Sequence, residues 1–368
     1  MKAKSVFRLT LLFLVPLVAL LGGAAFADTP PSRWDRVKDP ARGDAWDLHV
    51  SVSKQLTVCA MSKSESERER ILDGVRGALE GAGAATSPEL ALRFDLGEVY
   101  ERLKHFGKTI QVLEPALALA SDDDPATERA WNALATAYAK TDDSHNEIHA
   151  YDRLLALTVS MWERARVLAN RAEAEMRLGH LDEAIDGYRD ALAVSESSTG
   201  SSGLFVDSVL AHWGLTVVLD RSGDTTGSER EAAVTVGQHG LEIIRQDNVF
   251  FVPDYELFYY LGLGGMARAK QALSVGDAAT IWSATEAAWA SYVSGAVNAE
   301  LDCEKKFVCA DRAGGPECER KRKLACPPDR WLSLAKAHLV HAHKERVLSE
   351  KRSGIRIPSR LGPETRID

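Results

Sequence analysis

Residues 165–192 read ARVLANRAEAEMRLGHLDEAIDGYRDAL. Two short helical patterns flank a Gly179-His180-Leu181-Asp182 turn. Ala172, Gly179, Ala184 and Ala191 are small where two helices must approach closely. Leu168, Leu181, Ile185, Tyr188 and Leu192 are larger and apolar at the intervening positions. The stretch reads as one helical hairpin. A single hairpin cannot bury both of its apolar stripes, so the pattern predicts further hairpins stacked against it.

Upstream, the same pattern recurs twice. Ser87-Pro88-Glu89 is a helix start: an N-cap hydroxyl, a Pro in the first turn and an acid near the positive helix end. Leu92, Leu96, Gly97 and Tyr100 continue that helix, and Ile110, Leu113, Ala116 and Leu117 form the buried face of the next. Asp124-Pro125 restarts the cycle, with Trp131, Leu134, Ala135 and Tyr138, then Ile148, Tyr151, Leu154 and Leu155. Gly97, Ala135 and Ala172 are equivalent close-contact positions 38 and 37 residues apart, and Leu113, Tyr151 and Tyr188 keep the same intervals, as do Leu117, Leu155 and Leu192. Three columns holding one long spacing separate a repeat array from an arbitrary bundle.

The unit resembles a tetratricopeptide repeat, with three or four residues beyond the usual length of about 34 placed in its turns. The resemblance is sharpest for residues 165–192 and good for the two units before them. It implies an all-α, right-handed solenoid of antiparallel helix pairs, with a concave groove lined mainly by the first helix of each pair. It also implies a protein-binding scaffold rather than an enzyme.

Downstream the regularity loosens. Residues 195–203 (SESSTGSSG) have linker composition. Residues 209–236 fit a fourth unit, with Leu215, Leu219, Gly223 and Ala232 in register and Thr216 at the small position. Residues 255–293 fit a fifth with a long first helix, Ala269, Gly276, Ile281 and Ala288 taking its small and apolar positions. The expected organisation is a leader over 1–27, a lead-in and helical cap over 28–86 and core repeats over 87–195. Degenerate repeats follow over 196–300, then a basic cysteine loop over 301–328, a capping helix over 329–352 and a loose tail over 353–368.

Residues 1–27 carry the signature of a secretory leader: Lys2, Lys4 and Arg8, an apolar run from Leu9 to Leu21, and Ala25-Phe26-Ala27 as a small-x-small cleavage site. An uncleaved anchor is the alternative, against which the run is short for a span. Cleavage after Ala27 implies an exported, periplasmic or secreted protein with no stable membrane span. The leader holds three of the 45 basic residues and no acid, so the remainder carries 42 basic against 53 acidic residues, near −11. That excess of acid excludes a general nucleic-acid binder. The sequence leaves oligomeric state open.

In the resemblance, the exposed first-helix positions are Phe94, Glu98 and Arg102, then Asn132, Thr136 and Lys140, then Ala169, Glu173 and Arg177, with Arg221 continuing the last column. Arg102, Lys140, Arg177 and Arg221 form a basic ladder suited to acidic residues or a terminal carboxylate. Equally, cations at helix C-termini offset the negative dipole end. Chaperone-tail-binding members of the family clamp a carboxylate with paired Lys and Asn, and Phe94 and Ala169 at the clamp positions do not support that activity. Tyr100, Trp131 and Tyr138 lie near the expected groove as anchors or as packing.

Cys303, Cys309, Cys318 and Cys326 are separated by gaps of five, eight and seven residues. None has the spacing of a zinc knuckle, haem or redox motif, so an exported protein would use them as two disulfides. Three pairings are possible; the nested one, Cys303 with Cys326 and Cys309 with Cys318, would staple the flanking helices. Cys59 is then a half-buried free thiol; the alternative is a link from Cys59 to one of the four, leaving a different thiol free. The same segment carries Lys305, Lys306, Arg312, Arg320, Lys321, Arg322 and Lys323, which suit either a solvated loop or an anionic surface. A ligand or metal site in this segment is the alternative function. His145 and His149, four apart, lack the acid of a zinc-protease helix, and His338 and His341 fit an exposed polar face; no metal or cofactor is expected. No phosphate loop, nucleophile elbow or paired-carboxylate motif is present.

Overall fold

Capping chemistry sets the helix boundaries. The computed structural model describes residues 43–121, 127–158, 160–196, 202–238, 240–245, 251–308 and 316–354. The expected leader and nearly all of the tail lie outside them. Helices α1 (Asp44–Met61) and α2 (Glu65–Gly81) come first, with the Ser64 hydroxyl accepting the Glu67 N–H. Four more follow: α3 (Leu90–Arg102), α4 (Phe106–Leu117), α5 (Glu128–Lys140) and α6 (Ser144–Leu157). Asp143 caps α6 by accepting the Asn146 N–H at 3.2 Å. Ser160 caps α7 (Met161–Leu178), which ends on Gly179 at φ 83°, a left-handed conformation that suits glycine.

Next come α8 (Leu181–Glu196), α9 (Ser202–Ser222), α10 (Thr225–Gly237) and the short α11 (Gly240–Ile243). The last four are α12 (Leu257–Lys270), α13 (Val275–Lys306), α14 (Pro316–Ala325) and α15 (Leu332–Ser353). No strand occurs among the described residues.

Each of α1 to α10 packs on the next in sequence, α10 passes to α12, α12 to α13 and α13 to α15. First helices also meet the first helices of the following pairs: α1 with α3, α3 with α5, α7 with α9, and α9 with α12. This stacking makes the chain an all-α solenoid. The repeat columns sit in its core: Gly97, Ala135, Ala172, Leu113, Tyr151, Tyr188, Leu117 and Leu192 are buried, with Leu155 half-buried. Gly97 is small for a physical reason, since a Cβ there would lie 2.2 Å from Leu113. Tyr188 is covered the same way by Gly214, whose Cβ would meet its ring at 2.1 Å.

Among the described residues, three extended apolar cores run along the stack. The first joins α1 and α2 to α3; the second joins α3 to α6 and ends at Val167; the third begins at Ala172 and continues to α15. Helix α7 therefore contributes to two cores. Helix α3 is enclosed nearly all round, so even Asp95 is fully buried, and His49 of α1 meets its carboxylate at 2.7 Å.

Several expectations need correction. In the fifth unit the second helix is the long one: α13 has 32 residues and α12 only 14. The long partner of α13 is α15, which packs antiparallel along it, Trp282 facing His341, Trp289 facing His338 and Glu286 facing Arg346. The expected loop over 301–328 is partly helical, because α13 runs through Cys303 to Lys306 and α14 forms over Pro316–Ala325. Lys, Arg, Glu and Leu are good helix formers, and Glu319 pairs one turn on with Arg322 and Lys323. Of the expected linker at 195–203, residues 195–196 close α8 and 202–203 open α9.

Cys303 and Cys326 form a disulfide with a Cα–Cα distance of 5.6 Å. Cys318 is also disulfide-bonded, and Cys309 lies outside the described residues. Cys59 is a free thiol, fully buried rather than half-buried, against the Arg68 carbonyl at 3.7 Å.

Candidate functional site

Seven of the eight predicted groove residues fall into two groups, with Thr136 outside both. Glu98, Arg102 and Asn132 line a cavity of about 450 Å³ between α3, α5, the end of α6 and the start of α7. Glu101, Glu128, Arg129, Glu163 and Arg166 complete its charged wall. Arg102 donates to Glu98 at 2.8 Å, and Arg129 stands 4.0 Å from the same carboxylate. Arg166 donates to the Asn132 side-chain oxygen from both terminal nitrogens at 3.3 Å. The Asn132–Arg166 contact joins residues 34 apart in the chain. Burial raises the Glu101 carboxyl to about 7, Arg102 opposing and Glu98 adding to the shift.

Lys140, Glu173, Arg177 and Arg221 form the second group, near the C-terminal ends of α5, α7 and α9. Arg177 bonds Glu147 of α6 and stands 3.6 Å from Glu173. Burial raises the Glu173 carboxyl, with Arg177, Arg221 and Lys140 opposing. Burial lowers the Lys140 ammonium, with Asp254 and Glu173 opposing. Arg221 is buried and bonds Glu256, with the Tyr259 ring 4.6 Å and the Trp331 ring 4.9 Å from its guanidinium. Arg102, Arg177 and Arg221 are therefore each ion-paired within the chain. Thr136 turns its hydroxyl back to the Asn132 carbonyl at 3.1 Å.

Other predicted positions lie as follows. Phe94, expected on the groove, is fully buried against the core of α4 and α5, because α3 is covered on both flanks. Ala169 is half-buried at the third core. Tyr100 and Tyr138 are buried with their hydroxyls donating to Glu80 and Glu114. Trp131 is half-buried, with His149 edge-on at 5.9 Å; His145 is exposed. His338 meets Asp220 of α9 at 3.0 Å and stacks on Trp289, and His341 meets Trp282 edge-on. Among the described residues no group of three or more His, Cys, Asp and Glu is placed to hold a metal ion, and the disulfide removes Cys303 and Cys326 as thiolate ligands. No described helix is long and apolar enough to cross a membrane. A second concavity, of about 720 Å³, lies between α10, the α12–α13 turn and α15, with exposed Leu273 and Val275 at its mouth.

Sequence reasoning missed what meets the second group. The turn before α15 reaches it: Asp329 accepts from Tyr255 at 3.0 Å and from Tyr292 at 3.1 Å, and Arg330 donates to the Leu178 carbonyl at 2.6 Å. The signal available was Asp220-Arg221 closing an apolar helix. Buried charges of that kind require partners, which here come from distant segments.

No family model matches the chain. Among characterised proteins, the peroxisomal targeting signal receptor of Kluyveromyces lactis is 32% identical over 118 residues. The match covers 32% of this chain and 20% of the receptor, so the chain spans about one fifth of that relative's length.

Proposed function

We propose that this chain is a non-enzymatic scaffold that holds a segment of a partner protein against its first helices. The charged cavity between α3, α5 and α7 carries the reading. It gathers predicted groove residues Glu98, Arg102 and Asn132 with Arg129 and Arg166 into one concave surface of about 450 Å³. Acceptors and donors alternate there, which suits a polar segment and its backbone amides better than an apolar ligand. The partial likeness to a targeting signal receptor supports a binding role over a chemical one.

The site of action in this reading is the cell envelope or the exterior. The leader-like composition of residues 1–27 and the Cys303–Cys326 bridge support an oxidising compartment.

A photo-crosslinking amino acid placed at Asn132 tests the binding role, with exposed Arg189 on α8 as control. The expected result is a defined partner captured at Asn132 alone and lost on charge reversal of Arg102 and Arg166. Equal capture at both positions, or capture that survives the reversals, would overturn it. N-terminal sequencing of exported protein, expected to begin at Asp28, tests the location separately.

A further inference from the structure

The structure assigns a second peptide-binding site at the C-terminal ends of α7 and α9, filled in this chain by its own Asp329-Arg330-Trp331. We propose that it takes a partner segment of the same order, acid then guanidinium then aromatic, when the built-in segment is displaced.

Pro327, Pro328 and Asp329 form a non-helical run between α14 and α15. Each of the next contacts has a dedicated receptor. The Asp329 carboxylate takes two phenol hydroxyls, from Tyr255 at 3.0 Å and Tyr292 at 3.1 Å, and is 74 and 37 residues away from them in the chain. The Arg330 guanidinium closes the end of α7, where the last carbonyls of a helix lack intrahelical partners. It lies so near the Gly179 backbone that a Cβ there would come within 1.4 Å of it. The Trp331 ring lies over Arg221, whose charge Glu256 fixes in place.

The arrangement is that of a peptide laid on the edge of the third core. Arg330 is exposed, and Asp329 and Trp331 are only half-buried. Their polar contacts are hydrogen bonds and a cation–π stack, Asp329 also accepting the Trp331 N–H at 2.8 Å, while the Trp331 ring rests on the edge of the third core, whose buried residues on α15 are Ala335, Leu339 and Ala342. The segment is tethered on both sides, by the Cys303–Cys326 bridge and by α15, so it competes at high effective concentration. A trans ligand therefore binds the intact chain weakly and a chain lacking the built-in side chains well.

The test uses the full chain and a labelled synthetic peptide of residues 326–333 with Cys326→Ser, read by fluorescence anisotropy. The triple variant Asp329→Ala, Arg330→Ala, Trp331→Ala is expected to bind the peptide at least tenfold more tightly than the unaltered chain. Adding Tyr292→Phe should weaken that binding several-fold, and a scrambled peptide should not bind. Arg330→Ala alone, a change at an exposed side chain, should still raise peptide affinity about threefold. A folded Arg330→Ala chain that binds no better than the unaltered one would overturn the proposal, as would equal binding of the scrambled peptide.

Discussion

The first-helix surface is built twice in this molecule and finished differently. At the α3–α5–α7 end, a short-range pair, Arg102 with Glu98 four residues before it, borders a cavity of about 450 Å³. At the α7–α9 end, Arg221 finds Glu256 thirty-five residues away, and Trp331 closes over it. The Arg221 side chain is 2% exposed and that of Arg102 is 34% exposed. The same residue type in the same column is thus a half-solvated rim group in one place and a buried structural ion in the other. Column position fixes where a side chain starts; the segments that fold back on it fix what it does.

That contrast can be broken most sharply at its acids. Glu256→Ala leaves a buried guanidinium uncompensated and is expected to cost about 3–5 kcal/mol. Glu98→Ala, beside a partly solvated arginine, should cost less than about 1 kcal/mol. Urea unfolding followed by tryptophan fluorescence measures both, since Trp213, Trp282, Trp289 and Trp331 report on the α9–α15 half and Trp46 and Trp131, on α1 and α5, report on the other. Equal losses at the two sites would erase the distinction.

Removing the bridge with Cys303→Ser and Cys326→Ser comes next, at about 3 kcal/mol for a loop of this length. The loss should appear in the tryptophan signal of the third core and spare helical content at α1 to α6. Gly97→Ala tests the other end: a Cβ 2.2 Å from Leu113 overpacks the second core, for about 1–3 kcal/mol in thermal unfolding.

The smallest effect is pH-dependent and belongs to the open end. Glu101 is raised by burial from 4.5 to about 7, so its protonated form is favoured by the fold. Between those values the folded chain binds more protons than the unfolded one, and stability falls as pH rises. Glu101→Gln should reduce that slope, the burial-raised Glu147 (about 7) supplying part of the remainder, and raise stability at pH 8 by about 1 kcal/mol, as read from urea midpoints between pH 5 and 8. An unchanged slope in the variant would show that other groups set it.

What was readable from the sequence had local causes. Gly97, Ala135 and Ala172 mark helix contacts because only small residues fit there, and Leu113, Tyr151 and Tyr188 follow at the same interval because each pair repeats one geometry. Cap chemistry at Ser64, Asp143 and Ser160 bounds helices from neighbouring residues alone. The site was less readable because its partners are distant. Glu147 meets Arg177 from 30 residues away, and Arg330 reaches Leu178 across 152. The burial of Phe94 depends on both flanks of α3, which one helix's periodicity cannot reveal. The helical cysteine segment was misread because its charges look like loop composition although they pair along α14.

The contact between Arg330 and the end of α7 also orders events in time. Translation runs from the N-terminus at about 5–20 residues per second, so the 152 residues separating Leu178 from Arg330 take roughly 8–30 s to appear. Helix pairs form in far less time than that. A nascent chain therefore contains the α7 end well before the residue that closes it has been made.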